Sequence, residues 1–314
     1  MENSIALASK YQALTEETFK YKATSSVLDT PSERVRFMGA NAILIGKMDL
    51  DGLAEGSRKS AIVSGDVTFT WDTLTMSKHR SRAFNVHQFD NEESMDQSFG
   101  QVMGYFLTNK AVPEADAYRY EKIAKAAVAN GKYVDAALAA DTTEAAVKAG
   151  IVSLMEDEAL QDGGYLFITP TGWHYLLSDT GTKFFQTNSG NAFYDDQFMR
   201  YENLKIVLVP QKRFYATVDY YDGVTDNGTD ETVGGYVDAG KDINFLIVDP
   251  ASVIQVVKHE IPRFFAPNSE MNRIYGADGV NQDGNFWKFD YEIYHDLFVL
   301  DELVDGIYCH EKAT

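Results

Sequence analysis

The chain has 314 residues, of which 45% are hydrophobic and 13% are aromatic, and its formal net charge is -19. This composition supports a well-packed core, and the length suits two domains or subdomains. Because 47 acids face 28 bases, the chain as a whole repels the phosphate backbone, which argues against tight, direct DNA recognition. No segment is apolar enough to span a bilayer and the N-terminal stretch is too polar for a signal peptide, so we expect a soluble protein made in a cytoplasm.

The first quarter of the chain has the pattern of an arm followed by a β-hairpin. Residues 1–34 mix charged and apolar side chains without a strong period, which predicts an arm rather than a domain. A run of β-forming residues follows at 35–48, and apolar and polar side chains alternate again over 67–72. The polar segment between these strands is longer than an ordinary hairpin loop. The pattern therefore predicts a hairpin that projects from the body.

A long helical segment follows the hairpin. Helical periodicity over 92–131 predicts a spine of two helices that meet at Pro113, which ends the first helix and opens the second. Gly131 suits the position just past a helix end, where a left-handed conformation is common. The sequence therefore predicts a long, kinked helix with a glycine cap.

The second half of the chain predicts a compact α+β lobe. A third helix is expected over 141–160, because Asp141 and Glu144 have the spacing of a capping box. A strand is predicted at 165–169, and continuous apolar runs predict strands buried on both faces at 204–209 and 244–248. The segment 215–242 is acidic and rich in glycine, which predicts a solvated loop or hairpin.

The C-terminal region alternates between apolar and polar side chains over 287–297, which predicts one unusually long strand. His295 and Asp296 are neighbours in this strand, so their side chains point to opposite faces and cannot form a local acid–base pair. The lone cysteine, Cys309, lies in an apolar run, which predicts a buried and inert thiol.

Motifs for catalysis or metal binding are missing from the sequence. None of the six histidines has the spacing of a zinc site, and neither a GxSxG elbow nor a phosphate-binding glycine loop occurs. Residues 279–290 fit a calcium loop at Asn281, Asp283 and Gly284 but not at its first and last positions. We therefore expect no enzymatic activity, no metal and no organic cofactor. A metal-dependent hydrolase built from converging acids is the least favoured alternative.

Several sequence blocks carry a resemblance that covers nearly the whole chain. They occur in order as VRFMGAN (35–41), MDLDGLAEGSR (48–58), SGDVTFTWDT (64–73), VPEADAYRYEKIA (112–124), INFLIVDPASVIQVVKHEIPRFFAPN (243–268) and KFDYEIYHDLFVL (288–300). Together they resemble the major capsid proteins of tailed bacteriophages, which have the Hong Kong 97 fold. Asp249 departs from the family pattern, where histidine is expected, and 215–242 has the character of a family-variable insertion.

The resemblance implies an α+β capsid fold with a defined domain organisation. The expected parts are an N-terminal arm at 1–34, a peripheral domain at 35–132 and 246–314 that contains an extended loop at 47–78 and a spine helix at 92–131, and an axial domain at 133–245.

The resemblance also implies a function without catalysis. Copies of the chain are expected to assemble as pentamers and hexamers into an icosahedral shell, which makes the protein part of a virion synthesised in the cytoplasm of a bacterial host. Scaffolding protein and portal are the expected partners, with a decoration protein as an optional one. The shell would enclose double-stranded DNA without sequence-specific binding, and no membrane is involved. The alternative within the same fold class is the shell of an encapsulin-like nanocompartment.

The projecting hairpin is the candidate contact between subunits. It has no core of its own to offset the entropy of ordering it, so it must find contacts elsewhere. Phe69 and Trp71 would contribute about 2 kcal/mol each if a neighbour buried them, whereas the alternative is that both pack within their own subunit. The candidate residues of the loop are Asp51, Glu55, Arg58, Lys59, Asp66, Phe69 and Trp71, and those of the basic segment after it are Lys78, Arg80 and Arg82.

Overall fold

The computed structural model describes residues 23–30, 35–39, 41–55, 64–87, 103–160, 163–180, 185–186, 199–225, 233–267 and 286–313. By its internal contacts the chain divides into two units. The hairpin unit is Thr30–Lys78, and the main unit is Met1–Asp29 together with His79–Thr314.

The hairpin unit is a small antiparallel sheet. Its strands β1 (Arg36–Met38), β2 (Ala42–Leu50) and β3 (Val67–Thr75) pair in that order. Strands β2 and β3 pair along their whole length, which confirms the predicted hairpin. A Cβ atom at Gly46 would lie 2.9 Å from the Phe69 ring, so glycine leaves room for that ring to lie across β2.

The strands of the main unit form two larger sheets and a hairpin. Their bounds are β4 (Lys78–His87), β5 (Tyr133–Asp135), β6 (Gly164–Ile168), β7 (Phe185–Gln186), β8 (Met199–Tyr201), β9 (Leu204–Leu208), β10 (Val218–Tyr221), β11 (Gly235–Asp238), β12 (Ile243–Val248), β13 (Val253–Phe265), β14 (Phe286–Val299) and β15 (Ile307–Glu311). One sheet has seven strands in the order β5-β15-β12-β6-β9-β8-β7, and another has the order β13-β14-β4. Strands β10 and β11 form a separate antiparallel pair, which confirms that the acidic segment contains a hairpin.

The spine is a continuous helix rather than two helices that meet at Pro113. Residues 103–106 are α-helical, the pitch widens into a π-helical turn at Leu107–Ala111, and helix α1 follows at Val112–Ala129. The prediction that Pro113 ends one helix is therefore wrong. Proline has no amide N–H and its ring crowds the carbonyl one turn earlier, and the π-helical turn directly before it accommodates both defects. The predicted part of the helix at 92–102 lies outside the described residues.

Helix α1 ends in the predicted glycine cap. Gly131 has a φ of 70°, in the left-handed region. Its N–H donates to the Val128 carbonyl over 3.2 Å, and the N–H of Lys132 donates to the Ala127 carbonyl over 2.9 Å. These two bonds form a Schellman motif, which satisfies carbonyls that the helix end would leave open.

Replacing Gly131 by alanine is expected to lower the free energy of unfolding by about 1 kcal/mol, because a Cβ atom disfavours the left-handed conformation. Gly104→Ala is the control, for which the free energy of unfolding is expected to rise. Gly104 is helical, and a Cβ atom there would meet none of the described residues within 4 Å, so alanine should add about 0.5 to 1 kcal/mol. Urea unfolding at equilibrium measures both variants. A change of the same sign at the two positions would contradict the role of Gly131 as a cap.

In the described part of the chain two further helices lie after α1, and the first of them begins differently from the prediction. Helix α2 spans Thr143–Glu156 and helix α3 spans Pro170–Thr180. The residue at the N-cap of α2 is Thr142, so the predicted capping box with Asp141 at the cap is wrong. The Thr143 hydroxyl instead donates to the Ala139 carbonyl over 2.7 Å, which ties the first turn of α2 to the preceding turn.

Helices cover both faces of the seven-stranded sheet. Leu246 and Val248 of β12 pack in a core cluster with residues of α1, whereas Phe245 and Ile247 of the same strand pack in a second cluster with residues of α2 and α3. Since successive side chains of a strand point to opposite faces, β12 is buried on both. This confirms the prediction from its continuous apolar run.

Strand β14 is the long strand predicted from alternation, and it extends over 14 residues. Phe289, Tyr291 and Ile293 are buried together on one face, in a third core cluster that includes residues of the spine. Asp296 is also fully buried, and it accepts a hydrogen bond of 2.8 Å from the Tyr118 hydroxyl.

Candidate intersubunit surfaces

The hairpin unit exposes a row of apolar side chains on one face. The strand register places Met48 opposite Phe69 and Leu50 opposite Val67, and Trp71 stands opposite Gly46. Directly paired residues share a face of a sheet, so these side chains form one surface. We call Met48, Leu50, Val67, Phe69 and Trp71 the apolar face, and their exposed fractions run from 46% to 67%.

The opposite face of the same hairpin is polar. It carries Lys47, Asp49, Thr68, Thr70 and Asp72, because β2 and β3 alternate in phase with each other. An amphipathic hairpin with its apolar side exposed is typical of a protein–protein contact, since monomeric proteins rarely leave contiguous apolar patches in water. Phe69 and Trp71 are 56% and 46% exposed among the described residues, so the choice between a contact with a neighbour and packing within their own subunit stays a prediction in favour of the neighbour.

The aromatic part of the apolar face is ordered within the hairpin unit itself. The rings of Phe69 and Trp71 meet edge to face, with centroids 5.3 Å apart. The guanidinium of Arg36 lies 5.3 Å from the centre of a Trp71 ring, which is a cation–π contact. These contacts reduce the side-chain entropy that a partner must remove on binding.

The acidic tip of the hairpin is closed by its own hydrogen bonds. The Asp51 carboxylate accepts a bond of 2.8 Å from the Asp66 N–H, and the Asp51 N–H donates to the Asp66 carbonyl over 3.3 Å. Glu55 follows Asp51 in the chain and is exposed. The predicted contact residues Arg58 and Lys59 lie outside the described residues.

The basic residues after the hairpin have different surroundings. Arg80 is half-buried and pairs with Glu114 of α1, and it donates to the carbonyls of Tyr221 and Gly235 over 2.9 and 3.2 Å. Arg80 therefore ties β4 to α1 and to the β10–β11 hairpin. Lys78 is also half-buried, whereas Arg82 is exposed.

The main unit contains a cleft that the sequence did not predict. Its volume is about 620 Å³, and its apolar lining comes from Phe84, Tyr105, Phe106, Ala111, Tyr291 and Ile293. Arg82 and Lys110 also line it. These residues come from β4, the spine and β14, which lie far apart in the sequence, so no local pattern indicates the cleft.

A second unpredicted feature is a buried carboxylate that holds the segment before β1. Asp116 of α1 is fully buried. It accepts bonds from the N–H and hydroxyl of Thr24 over 3.0 and 2.9 Å, and from the N–H and hydroxyl of Ser25 over 3.2 and 2.6 Å. Arg213 adds an ion pair of 3.0 Å. Asp116 thereby anchors the short 3-10 turn Thr24–Leu28 to the spine.

Neighbouring residues of α1 extend this anchor. Arg119 donates from Nη1 to the Ser25 hydroxyl over 2.7 Å, and the Tyr120 hydroxyl donates to the Thr24 hydroxyl over 2.9 Å. Burial, together with the negative charge of Asp116, raises the pKa of Tyr120 well above its usual value. Tyr120 is therefore a neutral hydrogen-bond donor throughout the physiological pH range.

The described residues that could serve in catalysis or metal binding show no arrangement for either role. Cys309 is fully buried in the core cluster with α1, as predicted, and burial raises the pKa of its thiol. Within the described ranges, no three His, Cys, Asp or Glu residues are grouped so that they could hold a metal ion. Residues 279–285 of the calcium-like segment lie outside those ranges. None of the described helices is long and apolar enough to cross a membrane.

Comparisons with known proteins bear on the fold. No family model and no curated protein matches the sequence. Among solved structures, that of Gordonia phage Cozz is similar at 13% identity, over 93% of this chain and 87% of that one, with a TM-score of 0.59. The mature capsid of bacteriophage PhiM1 is similar at 12% identity, over 87% and 82% of the two chains, with a TM-score of 0.54. The chain has the fold of phage capsid proteins.

A third similar structure agrees with this result. The capsid of cyanophage P-SCSP1u matches at 11% identity, over 88% of this chain and 85% of that one, with a TM-score of 0.51. The similarity spans most of each chain, so it concerns the complete fold and not a shared fragment. The predicted α+β capsid fold is confirmed.

Proposed function

We propose that the chain is the major capsid protein of a tailed bacteriophage, a shell subunit that works by binding copies of itself and catalyses no reaction. The observation that carries the proposal is the exposed apolar face of a hairpin in a chain with a capsid fold. Such a surface is unfavourable in water, and a neighbouring subunit would cover it. Closed shells form from contacts of this heterologous kind, which close around five-fold and six-fold axes as pentamers and hexamers.

The proposed domain organisation follows from the same assignment. The hairpin unit, Thr30–Lys78, supports an extended loop at 47–78, and the continuous helix over 103–129 supports a spine at 92–131. Within the proposed arm at 1–34, the bonds of Asp116 to Thr24 and Ser25 support a contact with the spine at these two residues. The proposal completes the subunit with a peripheral domain at 35–132 and 246–314 and an axial domain at 133–245.

The proposed partners follow from the demands of a shell. The net charge of -19 suits a wall that encloses double-stranded DNA without binding its sequence. A separate scaffolding protein, a portal and an optional decoration protein complete the proposed virion, and synthesis takes place in the cytoplasm of the bacterial host. The similar structures come from phages, so they do not favour an encapsulin-like compartment or a metal-dependent hydrolase.

Expression of the chain, alone and with the scaffolding protein of its phage, tests the proposal. Sedimentation velocity and electron microscopy are expected to show closed particles of uniform size. Only monomers or dimers under both conditions would contradict the proposal. Particles that co-purify with a packaged enzyme in place of scaffold would overturn the phage assignment in favour of an encapsulin-like shell.

A further inference from the structure

The side chain of Asn244 joins three chain segments at one edge of the seven-stranded sheet. Asn244 lies in β12, at the point where the pairing with β15 shifts register between Ile243 and Phe245. Its Nδ2 atom lies 3.1 Å from the carbonyl oxygen of Ala136, directly after β5, and 3.1 Å from that of Glu311 in β15. The amide therefore holds β5, β12 and β15 together.

The two carbonyls fix the orientation of this amide. Carbonyl oxygens only accept hydrogen bonds, so the nitrogen of the Asn244 amide faces Ala136 and Glu311, and its oxygen points away. The same Nδ2 atom lies 3.1 Å from Nδ1 of His310. A hydrogen atom on Nδ1 would point at an N–H donor, so Nδ1 is the unprotonated nitrogen of the ring. His310 is therefore neutral in the folded sheet, with its hydrogen on Nε2.

The surroundings of His310 disfavour its protonated form. An imidazolium carries hydrogen on both ring nitrogens, which sets the Nδ1–H against the Asn244 amide. The nearby Glu311 carbonyl already accepts from Asn244 and, over 3.2 Å, from the Ala136 N–H. His310 is 2% exposed, and its ring stacks on Phe245 with centroids 4.8 Å apart. Burial therefore keeps water from solvating an added charge.

The charged side chains on the elements around His310 form ion pairs with each other. These pairs are Lys241–Asp135, Lys241–Glu311, Asp242–Lys312, Lys132–Asp157 and, on α2, Glu144–Lys148. Tyr308 and Cys309 precede His310 in β15, and burial raises the pKa of both, so they stay neutral. Burial lowers the pKa of the His310 ring, and the Glu311 carbonyl and the Asp135 carboxylate oppose this effect only in part.

We propose that His310 is a pH-sensitive switch: its neutral ring holds β5 and the end of β15 on β12, and its protonation opens this edge of the sheet. Strand β5 is the edge strand and its three residues are exposed, so it can separate while the core stays packed. Since β5 leads from α1 to α2, its release loosens the connection between these helices. The inference does not depend on the proposed shell function, because the switch lies within one subunit.

Acidification should weaken the closed edge. A histidine whose pKa is lowered by folding binds a proton more readily in the open state. Its contribution to stability is therefore complete above about pH 6.5, the ordinary pKa of histidine, and is lost as the pH falls from there through the folded pKa. The equilibrium constant for opening should rise by up to about tenfold for each pH unit in this window.

Hydrogen exchange between about pH 7.5 and about pH 5 tests the switch, with each rate corrected for the intrinsic exchange of its amide. Opening constants of the amides in 133–136 and 307–311 should rise as the pH falls. The amides of β9 (Leu204–Leu208), on the other side of β12 and β6 in the same sheet, should change by less than about twofold.

His310→Gln is the test variant, because its side-chain carbonyl accepts from Asn244 and carries no charge at any pH. Opening of the edge should be independent of pH in this variant. His174→Gln is the matched control, since His174 is an exposed histidine of α3, and it should keep the pH dependence of the natural chain. The other buried histidine of the described residues, His295, lies in β14, so its titration would affect the amides of β14 and not those of β5.

NMR of the histidine ring nitrogens keeps the proposal falsifiable if His310→Gln does not fold. The natural chain should show His310 with its hydrogen on Nε2 at about pH 7.5, and its ring should titrate below about pH 6.5. Three results would overturn the proposal: a hydrogen on Nδ1 at neutral pH, an edge whose opening ignores pH in the natural chain, or the same rise in opening in His310→Gln.

Discussion

Replacement of Phe69 and Trp71 together by serine is expected to leave a folded subunit that forms no shells at the concentration where the natural chain does. About half of each side chain is exposed in the subunit, so a neighbour that covers both would gain about 1 kcal/mol from each. A loss of about 2 kcal/mol per contact raises the critical concentration about 30-fold. Since each copy contributes a hairpin, the loss recurs around the whole shell.

The control for this prediction lies on the other face of the same strand. Thr68→Ser/Thr70→Ser removes two methyl groups from the polar face and is expected to assemble almost as well as the natural chain. Light scattering and sedimentation velocity measure the critical concentration, and circular dichroism verifies the fold. If both double variants assemble normally, the apolar face is not a subunit contact. If both fail, the hairpin is sensitive to any change and the face has no special role.

The second large effect is expected in the stability of the single subunit. Asp116→Ala should lower the free energy of unfolding by about 3 kcal/mol, because it leaves the buried polar groups of Thr24 and Ser25 without the Asp116 acceptor and removes the ion pair with Arg213. The turn Thr24–Leu28 should also exchange its amide hydrogens faster, since it loses its anchor on α1.

Urea unfolding and hydrogen exchange measure the two parts of this prediction. Asp116→Asn keeps an acceptor of the same shape and should lose less stability than alanine. Glu156→Ala, an exposed acid at the end of α2, is the control and should stay within about 0.5 kcal/mol of the natural chain. An alanine variant at Asp116 that is as stable as this control would show that the anchor contributes nothing to the fold.

Features encoded within a few neighbouring residues were predicted well from the sequence. Alternation over 67–72 predicted strand β3 and its two faces, and the continuous apolar run at 244–248 predicted a strand buried on both sides. Gly131 indicated the end of α1, because the left-handed position at a helix end favours glycine over other residues. In each case the period or the residue type reports a local backbone geometry.

Features that depend on distant partners were not predicted. Asp116 has the pattern of an ordinary acid on a helix, and its burial depends on Thr24 and Arg213, which are 92 and 97 residues away in the sequence. Arg80 belonged to a predicted basic segment, but Glu114 and two carbonyls of the β10–β11 hairpin hold it inside the main unit.

The sequence by itself determined the elements, the hairpin with its amphipathic strands and, through the ordered blocks, the capsid fold. Only the tertiary structure decided which charges are buried and paired, which cations remain exposed, and where a cleft forms between β4, the spine and β14. The reason is physical: a strand or a helix cap is stabilised by residues next to it in the chain, whereas the burial of a charge or the shape of a cleft depends on segments that meet only after folding.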